Sequence, residues 1–281
     1  MLNPHDFIRI LQAIDGLGAT PAMLVKVLKI VKDPNTDLDT ICSLVRNDGP
    51  LAADIMRISN SPYYAPATPH GNLTSSVSQI GLGEVIRVVN LSVSRQLFAR
   101  DLPSYGITAY DYWSSSVAAA LVMERLARLI GADPEDAYTV GILHPVGRVL
   151  INGHIEKLGF SVFWDGQQRI EDWEREAVGF SFAEAGAMLL EHWRFPTTTC
   201  EVIRWQLDPS KVVEEAALIG ALQFTRRLLA LTGTDFEQPG WLLPKDDPFC
   251  QALGLGQESV SKLVSECRDH FLLIEQSMDL K

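Results

Sequence analysis

Apolar residues recur at helical spacing along most of the chain. Leu38, Ile41 and Val45 fall at i, i+3 and i+7 directly after Asp37, a cap-type residue, and predict a helix that starts there. Leu51, Ile55 and Ile58 repeat the pattern until Asn60-Ser61-Pro62 stops it. Val85, Val89, Val93 and Leu97 mark one face of a longer helix. Trp113, Val117, Ala120 and Leu121 mark the next, for which Asp111 is the expected cap. Asp133-Pro134-Glu135-Asp136 combines a cap residue, a proline at the first helical position and acids in the first turn. Ser181-Phe182-Ala183-Glu184 has the spacing at which a serine and a glutamate satisfy each other's orphan amides. Pro196 opens a helix holding Cys200 and Ile203, and Val260, Leu263, Val264 and Cys267 mark the closing one. No run alternates apolar and polar positions over the length of a strand, so the fold class is all-α, a multi-helix bundle.

The turn-rich stretch Asp101-Leu102-Pro103-Ser104-Tyr105-Gly106 is the best internal boundary. It divides an N-terminal helical subdomain, 1–105, from a C-terminal one with a helical tail, 106–281. There is no internal repeat, and the strand–helix alternation with acidic cluster of a receiver domain is missing.

Composition narrows the function classes. A length of 281 residues, 47% of them hydrophobic, supports one large domain or two small ones. The net charge of −11 argues against direct nucleic-acid binding, which needs a basic footprint to release counterions from phosphates. Cys42, Cys200, Cys250 and Cys267 form no C-x-x-C pair and read as reduced thiols packed like small apolar residues. Met1–Ile10 has neither the basic start nor the apolar run of a signal peptide, and the apolar stretches Val117–Val122 and Ala216–Leu222 are far too short to span a bilayer. The expectation is a cytoplasmic protein without membrane association.

Several segments stand out in order along the chain. Asn47-Asp48-Gly49-Pro50-Leu51 is a turn into a helix, and Ile58-Ser59-Asn60-Ser61-Pro62-Tyr63-Tyr64 a helix end. Ser76-Val77-Ser78-Gln79-Ile80-Gly81-Leu82-Gly83 is a short helix ended by glycines. Tyr112-Trp113-Ser114-Ser115-Ser116, Gly141-Ile142-Leu143-His144-Pro145-Val146-Gly147, Glu176 to Gly186, and Trp193-Arg194-Phe195-Pro196 follow. Taken together these resemble the HDOD family, the HD-related output domains of bacterial signalling proteins, over residues 8–210. The family's D-P-x-L start here has a glycine inserted before Pro50, and its G-L-L-H-D-I-G segment has Pro145 in place of the aspartate. Beyond Ser210 only periodicity guides the reading.

The resemblance implies an HD-domain-like fold of two packed helical subdomains and an ancestry among metal-dependent phosphohydrolases. Such enzymes activate water with metal ions held by convergent His and Asp ligands. Mapped onto this chain, the early His position falls at Ser115, the His-Asp pair at His144-Pro145, a later His at Phe182 and a further one at Trp205-Gln206. The late Asp belongs in the helix after Ser210, yet Ala216–Thr232 contains no acid. Pro145 removes a carboxylate and a backbone N–H together. His144, alone in an apolar segment, reads as a packed, hydrogen-bonded residue. His154, Glu156, Glu191 and His192 are other ligand-type side chains, with no spacing that unites them.

Other chemistries lack their motifs. No phosphate-binding G-x-x-x-x-G-K-[ST] loop or G-x-S-x-G elbow occurs, and Gly81-Leu82-Gly83 follows a helix rather than a strand. Asp235, Glu237, Asp246 and Asp247 read as solvated loop acids, and Trp113, Trp164, Trp173, Trp193, Trp205 and Trp241 as core or interface. Arg226-Arg227 with Arg204 and Lys211 is the one mild basic concentration, read as a solvated helix face in preference to a nucleotide site.

The expected function is therefore a non-catalytic signal-transduction output module without cofactor or metal. It would act through a signalling protein partner or a small-molecule or nucleotide effector in a vestigial pocket around His144, Pro145, Ser115, Phe182, Trp205 and Gln206. The alternatives are a metal-dependent phosphohydrolase acting on nucleotides or cyclic dinucleotides, and a nucleotide sensor without turnover.

Overall fold

The computed structural model describes residues 20–31, 33, 36–61, 64, 68–159, 162–208 and 215–278. Met1–Ile10, Pro62-Tyr63 and Ser210-Lys211 lie outside them. Among the described residues the chain is helical between turns, and the nearest thing to a strand is one antiparallel bridge, Leu102 to Ile107, closing the turn around Pro103–Tyr105.

Among the described residues, five helices precede that turn: α1 (Thr20–Val31), α2 (Leu38–Arg46), α3 (Gly49–Ser59), α4 (Leu73–Ile80) and α5 (Leu82–Leu97). Each periodic face predicted from the sequence is the buried face. Ile41 and Val45 of α2, Leu51, Ile55 and Ile58 of α3, and Val85, Val89 and Val93 of α5 are all in the core. The caps are equally local. Asp37 accepts from the Thr40 amide at 2.8 Å, and Asp48 from the Leu51 amide at 3.1 Å. Gly81, at φ +82°, turns α4 directly into α5 in a conformation costly for any residue with a Cβ, whereas Gly83 lies inside α5.

After the turn come α6 (Ala109–Ile130), α7 (Pro134–Leu143), α8 (Gly147–Leu158), α9 (Ile170–Val178), α10 (Phe182–His192), α11 (Thr197–Trp205), α12 (Ala216–Thr232), α13 (Pro248–Leu253) and α14 (Gln257–Ser277). Helix α6 is the axis. It is buried over most of its circumference and packs against α5, α7, α12 and α14. Its cap is Thr108 rather than Asp111: the Thr108 hydroxyl accepts from the Asp111 amide at 3.1 Å and donates to the Asp111 carboxylate at 2.7 Å. The hydroxyl three residues upstream reaches the orphan amide, so the helix begins one turn before the aspartate. Asp133 and the reciprocal Ser181–Glu184 pair cap α7 and α10 as expected. All four cysteines are free and buried, and among the described residues no helix is long and apolar enough to cross a membrane.

Two glycines set how closely the later helices pack. A Cβ on Gly141 of α7 would stand 2.4 Å from the Ala120 Cα of α6. One on Gly147, the first residue of α8, would stand 2.0 Å from the Phe182 carbonyl oxygen and 2.6 Å from the Gly186 amide nitrogen of α10. These are contacts between backbones, and backbone does not step aside as a side chain can. Gly147→Ala is therefore expected to lower stability by about 2 kcal/mol or more in urea unfolding. Gly49→Ala, with nothing within 4 Å of its added carbon, should stay within about 1 kcal/mol of the parent protein. Equal effects from the two substitutions would show that the backbone contact at Gly147 is not limiting.

Candidate functional site

His144 stands between the two glycine contacts. It ends α7 with its amide bonded to the Val140 carbonyl at 2.8 Å, and Pro145, which has no N–H to give, separates α7 from α8. The Pro145 carbonyl accepts the buried Tyr112 hydroxyl from α6, which ties the break to the central helix. The His144 side chain is only 8% exposed, and its Nδ1 lies 2.7 Å from the Gly141 carbonyl. A carbonyl only accepts, so Nδ1 carries the proton and Nε2 keeps the lone pair. Burial drives the imidazole pKa down to about 3, with Arg226 and Arg148 adding repulsion against the hydrogen bond to Gly141.

A cavity of about 580 Å³ opens beside this imidazole. Ser115 of α6, His144 and Gln206 line it, so three of the residues singled out from the sequence do converge. Phe182 is wholly buried at its edge, where the Arg148 guanidinium lies 4.7 Å and the Arg226 guanidinium 5.4 Å from the ring centroid. Pro145 is not on the wall and acts through the helix break. Trp205 is not on the wall either: its indole Nε1 donates to Glu201 at 2.7 Å, one turn back on α11. The next residue, Gln206, points the other way and takes the position instead.

The charged part of the remaining wall is mainly cationic. Arg148 of α8, Arg169 before α9, and Arg226 and Arg227 of α12 contribute guanidinium groups, and Glu171 the one carboxylate. Glu171 is taken by Arg169, whose Nε lies 2.7 Å away. Arg227 pairs at 2.9 Å with Asp247, which is buried and also caps α13 rather than sitting in solvent as a loop acid. Glu174, close behind the site, accepts from the Tyr105 hydroxyl at 2.9 Å and the Phe182 amide at 2.7 Å, and burial raises its pKa to about 7. The reading of Arg226-Arg227 as a solvated face is thus corrected for Arg226, which is half-buried, while Arg227 is exposed as expected. Arg226 falls four residues after Leu222 and seven after Ile219, both fully buried, so it lies on the inward stripe of α12. Arg204 belongs elsewhere, pairing with Glu191 at 2.6 Å, and Lys211 lies outside the described residues.

A cation on an inward stripe was the available signal for Arg226, and the spacing of four residues from His144 was the one for Arg148. Nothing local announced Arg169, Glu171 or Gln223 as wall residues. Glu156 accepts from Asn152 at 2.9 Å, and neither it nor His154, Glu191 or His192 reaches the cavity. Among the described residues no three His, Cys, Asp or Glu side chains are grouped so as to hold a metal ion. The residues around His144 do not fit a metal: they offer one imidazole and a set of like-charged arginines.

A family model described as the HDOD domain matches residues 17–209. The chain belongs to the HDOD family. An uncharacterized protein of Treponema pallidum (strain Nichols) is 22% identical over 240 residues, covering 83% of this chain and 45% of that protein. The HDOD chain thus spans about half the length of that relative. A solved HDOD domain protein of unknown function from Geobacter sulfurreducens superposes with a TM-score of 0.73 at 21% identity, covering 96% of both chains. A Shewanella amazonensis SB2B protein provisionally named a phosphohydrolase gives a TM-score of 0.68 at 20% identity over 98% of each chain. A Marinobacter aquaeolei VT8 protein provisionally named a signal transduction protein also gives 0.68, at 22% identity, over 94% of this chain and 59% of that one. At these identities the likeness establishes the HDOD fold.

The buried imidazole has a signature in solution. The folded state holds His144 neutral far below its ordinary pKa of 6.5, so below that pH the unfolded chain binds the extra proton and stability falls. The stability of the wild type relative to His144→Gln should be about 1.4 kcal/mol smaller at pH 5.5 than at pH 8, from urea unfolding at both. The opposite slope contributed by Glu174 is common to both proteins and cancels. A difference that does not change with pH would mean that His144 ionises freely in the fold.

Proposed function

We propose that this HDOD chain is a non-catalytic signal-transduction module that works by binding, with the cavity beside His144 as its ligand site and a protein partner reading the result. The observation that carries the proposal is electrostatic. Metal-dependent hydrolysis needs ligands that attract a cation, and here Ser115, Phe182 and Gln206 occupy the ligand positions implied by the family resemblance while Arg148 and Arg226 repel positive charge from the one remaining imidazole. The repulsion that Arg226 and Arg148 exert on a proton at His144 would act on a divalent cation there as well. Four free, buried thiols suit a reducing cytoplasm. We take the turn at Asp101–Gly106 as the joint between the two helical subdomains.

The name of the Marinobacter relative favours signalling, and that of the Shewanella relative favours hydrolysis of a phosphate ester. Metal analysis together with a phosphodiesterase assay decides between them. The purified protein is expected to carry no stoichiometric transition metal and, with Mn²⁺ or Mg²⁺ added, to hydrolyse bis(p-nitrophenyl) phosphate no faster than His144→Ala. Stoichiometric metal with turnover lost in His144→Ala would replace the proposal by the phosphohydrolase reading.

A further inference from the structure

The cavity is lined by charged and polar groups whose demands are not met within the fold. Arg148 and Arg226 both face one aromatic ring, and among the described residues neither makes an ion pair, because Glu171 is engaged by Arg169, Asp247 by Arg227, and Glu174 by Tyr105 and the Phe182 amide. The Arg148 Nε is buried with no hydrogen-bond partner. Gln206 is fully buried, and its Nε2 donates to the carbonyls of His144 and Ile203, both at 3.0 Å. That pair of donor bonds fixes the amide orientation and leaves Oε1 as a buried acceptor with nothing to accept. Burial and the nearby Arg148 push the Arg226 pKa down to about 10, so Arg226 stays charged at neutral pH with Arg148 opposing it. Two half-buried guanidinium groups held side by side without an ion pair, one with an unpaired buried Nε, are costly, and a structure that keeps them on a cavity wall is preorganised for a complementary group.

We propose that Arg148 and Arg226 hold the phosphate of a small phosphorylated ligand in the cavity beside His144. Two guanidinium forks approaching from different helices supply more N–H donors than the two oxygens of a carboxylate can accept, whereas a phosphoryl group offers three oxygens in a tetrahedral array. Phe182 sets the spacing: its ring, standing where the family resemblance implies a metal-binding histidine, seats both guanidinium groups by cation–π contact. A cavity of about 580 Å³ holds much more than a phosphate, and small metabolites of nucleotide size occupy cavities of about 300–1,000 Å³. Leu207, Leu229 and Ala230 offer an apolar surface to the body of such a ligand. The neutral His144 adds an acceptor rather than a charge. The inference rests on the non-hydrolysing reading of the site only for the fate of the ligand, not for its capture.

Thermal shift and calorimetry on the full chain test it, with inorganic pyrophosphate and AMP as probes, citrate as the carboxylate control, and ionic strength matched throughout. Both phosphate probes are expected to raise the melting temperature, citrate far less, because a ligand that prefers the native state must stabilise it. Arg148→Gln and Arg226→Gln should each weaken binding about tenfold or more, the loss expected when one charge-assisted partner is removed. Arg204→Gln, on α11 and paired with Glu191, should bind like the parent protein. Without ligand, Arg226→Gln should melt at or above the parent temperature, since it removes a like-charge contact, so weak binding there cannot be blamed on unfolding. No shift with either probe at millimolar concentration, or equal shifts in all variants, would overturn the inference. Release of inorganic phosphate from bound AMP would uphold the phosphate site while overturning the non-hydrolysing reading.

Discussion

The approach of backbone to backbone at Gly141 and Gly147 governs everything around His144. At the first contact α7 lies on the Ala120 backbone of the central helix, and at the second the start of α8 lies on the Phe182 carbonyl and the Gly186 amide. Between Leu143 and Gly147 the chain has three residues in which to end one helix and begin another, and Pro145 makes that break compulsory. His144 has no freedom left: its amide completes α7, its Nδ1 is bonded to Gly141, and its backbone carbonyl is held by Gln206. The position of the imidazole is thus a consequence of steric contact between helices, as unforgiving as any in a packed interior.

The same packing explains how a metal-type framework accommodates the opposite charge. Helices α8, α10 and α12 bring Arg148, Phe182 and Arg226 to one point, and the ring seats both guanidinium groups without an ion pair to either. The field they create reaches His144, whose proton affinity falls, and Glu174, whose burial is partly offset by Arg148. Burial dominates both shifts and the arginines adjust them. An arrangement of this sign suits an anion and opposes a metal, which ties the proposed regulatory role and the proposed ligand class to one physical cause.

Relatives with about one-fifth identity share the fold across nearly the whole chain. Such conservation of shape at low identity is what a frame set by caps, inward apolar stripes and close backbone contacts would allow, because many sequences satisfy those demands equally. The chemistry at the cavity is less tolerant, since replacing one charged side chain inverts what the wall attracts.

Local physics was legible in the sequence. The inward stripes of α2, α3, α5 and α14, the caps at Asp37, Asp133 and Ser181, and the absence of strands among the described residues follow from periodicity and from which side chains can reach an orphan amide, and both are decided within one or two turns. The start of α6 was misjudged by one turn because Thr108 and Asp111 are both competent caps and only the geometry ranks them. The ordered motifs also led to the family, and to Ser115, His144 and Gln206. The character of the site was decided by tertiary structure alone. Asp247 and Arg227 lie 20 residues apart, and whether they pair depends on how α12 meets α13. Trp205 and Gln206 are neighbours in sequence, and helix rotation sends one to Glu201 and the other to the cavity. Whether Arg226 meets solvent or Arg148 is settled by contacts between helices distant along the chain, and electrostatic energy depends on separation in space, which no local pattern encodes.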